Sequence, residues 1–290
     1  MSIVKVKDLV KIYSEEYMLD KVSFEIEKGS FFAVIGKENS GKTPLLEILA
    51  GLKFPNEGEV RIFGKNMSTY DNRIKKHISF VPDNIIFYEN ITALELFART
   101  TKLHSTYNPR ECVKLCKMFN INMDNLLLEM SYDENKCVAL VNSLMTKPKI
   151  LILDEPYNYL SCESFEKLMK LLKIRSQQGV TIIFACERYE DVKGFCDSYI
   201  YLKEGDLIKQ GNIDIHAKTY KMVTVEGCSL TPFHSLNVIP VFDSKDKKRF
   251  VYGGDMTSLA GAITKAACKS FLVEELTLEE VLLWDFERWK

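Results

Sequence analysis

The sequence is poor in features that would each have fixed a function class. No apolar run approaches the roughly 18 residues that a membrane-crossing helix needs, although 46% of the 290 residues are hydrophobic, enough for a substantial core. Charge of one sign is not in excess: 39 basic residues stand against 40 acidic ones, a formal net charge of -1. No overall field collects a polyanion, so nucleic acid is not expected as a partner. The eight cysteines contain no Cys-x-x-Cys pair. Cys112 and Cys116 lie four apart with no histidine at ligand spacing, so free thiols are expected and not a zinc centre. An export leader is not expected either: MSIVKVKDLVKIYSEE alternates apolar and charged residues, as a first strand does, where a leader carries a basic head and an apolar run. No internal repeat or low-complexity tract stands out.

What is present has the order of a doubly wound α/β core. Residues 2 to 35 alternate with a period of two, with turn residues at Ser14-Glu15-Glu16 and Glu27-Lys28-Gly29, which predicts antiparallel strands leading into a buried strand, Phe31 to Ile35. Leu45, Leu46, Ile48, Leu49 and Leu52 then recur at helical spacing until Gly51 and Pro55 to Gly58 turn the chain. From Asn90 to about Leu144 the pattern is mostly helical, interrupted at Pro109 and at Asn120 to Asn125. Ile150 to Leu153 is apolar at every residue, as in a strand covered on both faces. A helix, Cys162 to Gln178, a strand, Val180 to Ala185, and a hairpin, Tyr199 to Ile208, follow. After Gly211 short strands are expected at Val223 to Val225, Val238 to Phe242 and Arg249 to Tyr252, then a helix, Leu259 to Ala267, and an acidic-aromatic tail, Leu276 to Trp289.

Chemistry enters at Gly36-x4-Gly41-Lys42-Thr43, the pattern of a phosphate-binding loop. In such a loop backbone N–H groups surround phosphate oxygens, the lysine bridges them, and the hydroxyl binds magnesium; glycine is needed because a side chain would block the anion. The helix that follows the strand and loop supplies the orienting dipole. The matching acid is expected at the end of a buried strand, and Leu151-Ile152-Leu153-Asp154-Glu155-Pro156 supplies it. Asp154 is assigned to the metal and Glu155 to the attacking water as general base. The cofactors expected are ATP and Mg2+.

These two motifs, together with Ile78 to Pro82 and Phe87 to Ala93, resemble the ATP-binding cassette of ABC transporters, in particular bacterial exporters with separate membrane subunits, over residues 2 to about 210. The run Glu274 to Leu283 resembles the C-terminal end of that exporter group. The resemblance implies an α/β P-loop NTPase core of ABC type at 1–212 with an antiparallel β subdomain and a helical subdomain at about 84–147, followed by a small α+β domain at 213–290. It implies an ATPase that drives export, docks through Asn84 to Leu103 on a membrane-spanning permease subunit, pairs with a second cassette, and sits at the cytoplasmic face of the membrane. Its cargo would be amphipathic or antimicrobial peptides of the phenol-soluble modulin kind. Nucleotide contacts fall on Gly36, Lys37, Glu38, Asn39, Ser40, Gly41, Lys42, Thr43 and Pro44, and metal contacts on Thr43, Asp83 and Asp154. Tyr13, by itself an ordinary strand tyrosine, takes the place of the aromatic that stacks on adenine, worth about 1 kcal/mol.

Several positions depart from the family. Asp83 stands for the glutamine that senses magnesium and the permease. Met130-Ser131-Tyr132-Asp133-Glu134 replaces Leu-Ser-Gly-Gly-Gln, so a phenol and two carboxylates stand where one cassette meets the partner's ATP. Like charges there would stabilise the closed dimer poorly. Glu187 takes the place of the histidine that contacts the γ-phosphate, and Ser161 that of the dimer-loop aspartate. Asn39 occupies a frequent glycine position and Pro44 a frequent serine or threonine position, where a first-turn proline is tolerated. A cassette that binds MgATP and hydrolyses slowly, beside a more regular sister, is therefore expected. The alternative is a non-transport ATP-binding switch or regulatory pseudo-ATPase.

Overall fold

The computed structural model describes residues 2–13, 16–67, 72–87, 90–104, 107–212, 220–236, 238–244 and 246–276. The chain divides into two compact units, Met1–Gln210 and Gly211–Lys290. The first opens with two long antiparallel strands, β1 (Ser2–Tyr13) and β2 (Glu16–Glu27), whose alternating buried residues make the pairing two-faced. β4 (Glu57–Ile62) and β5 (Lys65–Asn66) complete that sheet in the order β2-β1-β4-β5.

Between them lie β3 (Phe31–Ile35) and helix α1 (Lys42–Leu49). β3 joins a six-stranded sheet with β6 (Ile78–Val81), β7 (Ile150–Asp154), β8 (Thr181–Cys186), β9 (Ser198–Lys203) and β10 (Asp206–Asn212), in the order β10-β9-β3-β8-β7-β6. The pairs β9–β3, β3–β8, β8–β7 and β7–β6 are parallel. Every residue of β3, β7 and β8 is buried, which is why their sequences are apolar without alternation. β9 and β10 are joined by Glu204 (φ 51) and Gly205 (φ 88), the two positive φ values a tight hairpin turn requires. One core cluster packs the inner faces of β1 and β2 with α1 and the parallel strands, from Val4 and Leu19 to Leu45, Ile152 and Ile200.

The helical segment contains α3 (Ala93–Leu103), α4 (Pro109–Met118) and α5 (Tyr132–Met145), after a one-turn α2 (Asn72–Lys75); α6 (Cys162–Gln177) follows β7. Local chemistry sets these starts. Thr92 and Glu95 form a capping box on α3, and Asn108 caps α4 with Pro109 in its first turn. Pro109 thus begins a helix where the sequence reading had an interruption.

The second unit is a four-stranded antiparallel sheet in the order β12-β13-β11-β14, formed by β11 (Lys221–Glu226), β12 (Val238–Asp243), β13 (Lys247–Tyr252) and β14 (Ser270–Glu275). Helix α7 (Met256–Ala266) covers it, burying Leu259 and Ala262 against Val223, Phe233 and Phe250. Two expectations are corrected. Leu52 is not helical: α1 ends at Leu49, Gly51 turns at φ 71, and Leu52 is 59% exposed. β14 was not foreseen, because Phe271 and Leu272 are both exposed and break the alternation. The exporter-like run from residue 277 on, and Tyr88 and Glu89, lie outside the described residues. Among the described residues no helix is long and apolar enough to cross a membrane.

Candidate functional site

The parallel sheet delivers two chain ends to one place. β3 feeds the loop Gly36 to Gly41, and β7 ends at Asp154 two strands away, beyond β8. Gly41 takes φ 98 as the residue before α1 and offers no side-chain cap, so the first-turn N–H groups keep no partner from it. A Cβ at Gly41 would lie 2.4 Å from the Met18 carbonyl oxygen, and one at Gly36 would lie 2.6 Å from that of Leu202. Asn39 has φ 61, a region that asparagine tolerates better than most residues, which accounts for asparagine at a glycine-like position. The first helical bond runs from Leu45 N–H to the Gly41 carbonyl, so Pro44 removes no intrahelical donor.

Lys42 is 4% exposed, and its Nζ donates to the carbonyls of Gly36 (2.6 Å) and Lys37 (2.8 Å) while pairing with Glu155 Oε1 at 3.2 Å. Thr43 Oγ1 donates to Asp154 Oδ2 at 2.7 Å. The other oxygen of Asp154, Oδ1, is buried without a hydrogen-bond partner. Burial pushes the Asp154 carboxyl up to about 6; the Thr43 bond opposes this, and the Glu155 and Asp83 charges add to it. An orphaned acidic oxygen beside a threonine hydroxyl fits a hard divalent cation shared with phosphate. Among the described residues no group of three or more His, Cys, Asp or Glu is placed to hold a metal by itself.

Glu155 stands at φ 40, an unfavourable backbone for a long side chain, directly after the strand. Its Oε2 accepts from Asn158 Nδ2 (3.0 Å), which also donates to Asp83 Oδ1 (2.9 Å). Asp83 is thereby drawn to the acid pair. Behind it lies Lys136 of α5, 2% exposed, donating to the carbonyls of Pro82 (2.9 Å) and Asp83 (2.5 Å). Burial lowers the Lys136 ammonium to about 8, against the pull of Asp83, Asp154 and Glu155. Glu187, after β8, donates its backbone N–H to the Tyr157 hydroxyl at 3.1 Å, and burial keeps that phenol protonated by raising its pKa.

Several of these groups line an open cleft of about 830 Å³, large enough for a nucleotide. Glu38 to Pro44, Asp83, Glu155 and Glu187 border it, with Tyr13 and Met18 at one end. Tyr13 is 65% exposed, so its ring is free to take a flat ligand. Gly36, Lys37 and Asp154 are not on its wall; the first two frame the loop and Asp154 sits beneath Thr43.

Ser131 to Glu134 are elsewhere, at the start of α5. Ser131 and Glu134 form a capping box: Ser131 Oγ accepts from Glu134 N–H and donates to Glu134 Oε2, which also accepts from Ser131 N–H at 2.8 Å. Asp133 accepts from the Ser161 N–H (2.8 Å) and from the Ser164 hydroxyl (3.3 Å), and Ser161 itself caps α6. The carboxylates of Asp133 and Glu134 thus both have partners within the chain. Each is engaged by helix N-terminal groups of its own chain, and the outward group is Tyr132, 68% exposed and 5.5 Å from the Tyr159 ring.

Sequence reasoning missed Lys136, Asn158 and Tyr157. Lys136 was readable in part, since it shares the helical stripe of Leu140 and Leu144, both buried. The other two carry no period or motif of their own.

Residues 19–158 match the ABC transporter family. The chain is 28% identical over 221 residues to a molybdate/tungstate import ATP-binding protein, WtpC, of Pyrococcus horikoshii, covering 74% of this chain and 64% of the relative. It is 26% identical to a ribose import ATP-binding protein, RbsA, of Bacillus licheniformis, spanning 48% of that protein and 76% of this chain. It is 23% identical to a bacitracin transport ATP-binding protein, BcrA, of Enterococcus faecalis, over 76% of this chain and 72% of the relative. Among solved structures, a dimeric ATP-binding cassette, MJ0796, bound to ADP and Pi superposes with a TM-score of 0.64 at 27% identity, covering 72% of this chain and 98% of that one. CbiO1 of Clostridium perfringens, part of the ABC transporter complex CbiONQ, gives a TM-score of 0.60 at 27% identity, covering 73% of this chain and 88% of that one.

Proposed function

We propose that residues 1–210 form an ATP-binding cassette of ABC type, and that the chain is the ATP-binding subunit of an ABC transporter working at the cytoplasmic face of the membrane. One observation carries this reading: the loop lysine and threonine meet the strand-end acids directly, Lys42 to Glu155 at 3.2 Å and Thr43 to Asp154 at 2.7 Å. Lys42 exchanges its loop carbonyls for phosphate oxygens. Thr43 and Asp154 would hold the metal, with Asp83 linked to Glu155 through Asn158. Glu155, restrained by Asn158, takes a proton from water at Oε1 or Oε2. Mg2+, when bound, supplies charge neutralisation at the phosphates. Tyr13 stacks on the base, and Ser131 to Glu134 face the nucleotide of a second cassette.

The finer reading is slow hydrolysis coupled to export of a peptide by a permease. The slow step is supported by Glu187, an acidic side chain in the place of the family's histidine, and by Tyr132, which fills a glycine position. The direction and cargo rest on the resemblance of the motifs alone, and relatives named for import make direction a point to be measured. The regulatory switch is the second reading, favoured by the internal engagement of Ser131, Asp133 and Glu134.

Calorimetry with MgATP and single-turnover hydrolysis on the chain, with and without the permease that co-purifies from native membranes, test both. Uptake of MgATP with turnover that is slow, raised by the permease and lost in Glu155→Gln supports the transporter reading. Uptake without turnover and without a permease supports the switch, and absence of uptake overturns both. Fast turnover by the chain alone sinks the slow-site idea.

A further inference from the structure

Lys136 raises a question that the cassette chemistry leaves unanswered. A charged amine that is 2% exposed is costly unless it is compensated, and it belongs to neither the phosphate loop nor the cleft wall. Its Nζ donates to two adjacent carbonyls, those of Pro82 and Asp83, so it grips one loop from behind. The charges that face it are the carboxylates of Asp83, Asp154 and Glu155. Without Lys136, Lys42 is the lysine that pairs within this acid group, through Glu155 at 3.2 Å.

We propose that Lys136 is the counter-charge and tether for Asp83, a positioning residue that lets an aspartate stand where the site would otherwise accumulate unbalanced negative charge beside a polyphosphate. Two observations point the same way. The ammonium fixes the backbone of residue 83 at 2.5 Å, while Asn158 fixes its side chain at 2.9 Å and passes to Glu155 at 3.0 Å, so Asp83 is held from both ends. Lys136 also lies on α5, the helix whose first turn is Ser131 to Glu134, so the loop at 82–83 and the signature segment are bound to one rigid element. This inference rests on the ATP-binding reading of the site.

The test is a charge-swap cycle on the full chain: Lys136→Gln, Asp83→Gln and the double variant, with thermal melting of the nucleotide-free chain and calorimetry with ATP in EDTA and with MgATP. Lys136→Gln is expected to weaken ATP binding roughly tenfold, and metal-free ATP, the more negative ligand, more than MgATP. The double variant, whose net charge equals that of the unaltered chain, is expected to recover affinity to within about threefold and to melt above the Lys136→Gln chain. A lysine of merely structural worth would lower melting, affect both ligands by the same factor, and gain nothing from Asp83→Gln; that result, or unchanged ATP affinity in Lys136→Gln, overturns the proposal. Should Lys136→Gln not fold, its recovery by Asp83→Gln reads the same coupling, and failure of both variants overturns it. Absence of ATP uptake by the unaltered chain would instead sink the cassette reading on which the proposal stands.

Discussion

Asp154 bears a conflict between folding and function. Its carboxyl titrates near 3.8 when free and near 6 in the folded chain, because burial disfavours the charge. The native state therefore binds the extra proton between those values. The stabilisation is complete below about pH 4 and is lost as pH rises through about 6. At pH 7.5 the charged form is a liability that a metal would relieve, so Asp154→Asn should stabilise the nucleotide-free chain by on the order of 2 kcal/mol at that pH and by much less at pH 4.5. The same variant should weaken MgATP binding at least roughly tenfold. Paired denaturation curves at the two pH values check the first, and calorimetry the second; equal stability differences at both pH values would contradict the assignment. Asn39, with its φ of 61, makes a second residue-scale prediction. Asn39→Gly should leave ATP affinity within about twofold, whereas Asn39→Ile should cost about 1–2 kcal/mol of stability, measured by urea unfolding.

At the scale of elements, α5 caps itself and also supports the start of α6. Ser131 caps α5 while Asp133 of α5 holds the Ser161 N–H at the start of α6. Ser131→Ala should cost about 1 kcal/mol, and Asp133→Ala a similar amount through a different helix. Amide exchange should therefore quicken in residues 132–135 for the first and 161–164 for the second; the opposite pattern would refute the assignment. The reach of Asp133 to α6 was not legible in the sequence, because it depends on a second segment 28 residues away. The parallel strands were legible because full burial leaves an apolar run, as in Ile150 to Leu153, and the loop was legible because the Gly36 and Gly41 positions leave no room for a side chain. What escaped was whatever depends on a second segment: β14 takes its place from pairing with β11, and Lys136 takes its meaning from a loop more than fifty residues away, at Pro82 and Asp83. Such pairings have no local period to read.

For the molecule as a whole, each unit carries a core of its own: one built on β1 to β3 and α1, the other on Val223, Phe250 and Leu259. A chain ended after Asn212 should accordingly unfold in one cooperative transition and bind MgATP within about threefold of the full chain, as measured by calorimetry. Loss of folding in that shorter chain would contradict the division. The strand order also sets a timetable. β3 pairs with β8 and β9, whose residues emerge from the ribosome about 150 and about 165 positions later. During synthesis the phosphate loop is thus made early and remains without its acid or its neighbouring strands, so nucleotide cannot steady the nascent chain until β9 has been translated. Until then the apolar strand Phe31 to Ile35 is a natural client for chaperones, and codons that slow translation between β3 and β9 should lower the yield of native protein more than the same codons placed after residue 212.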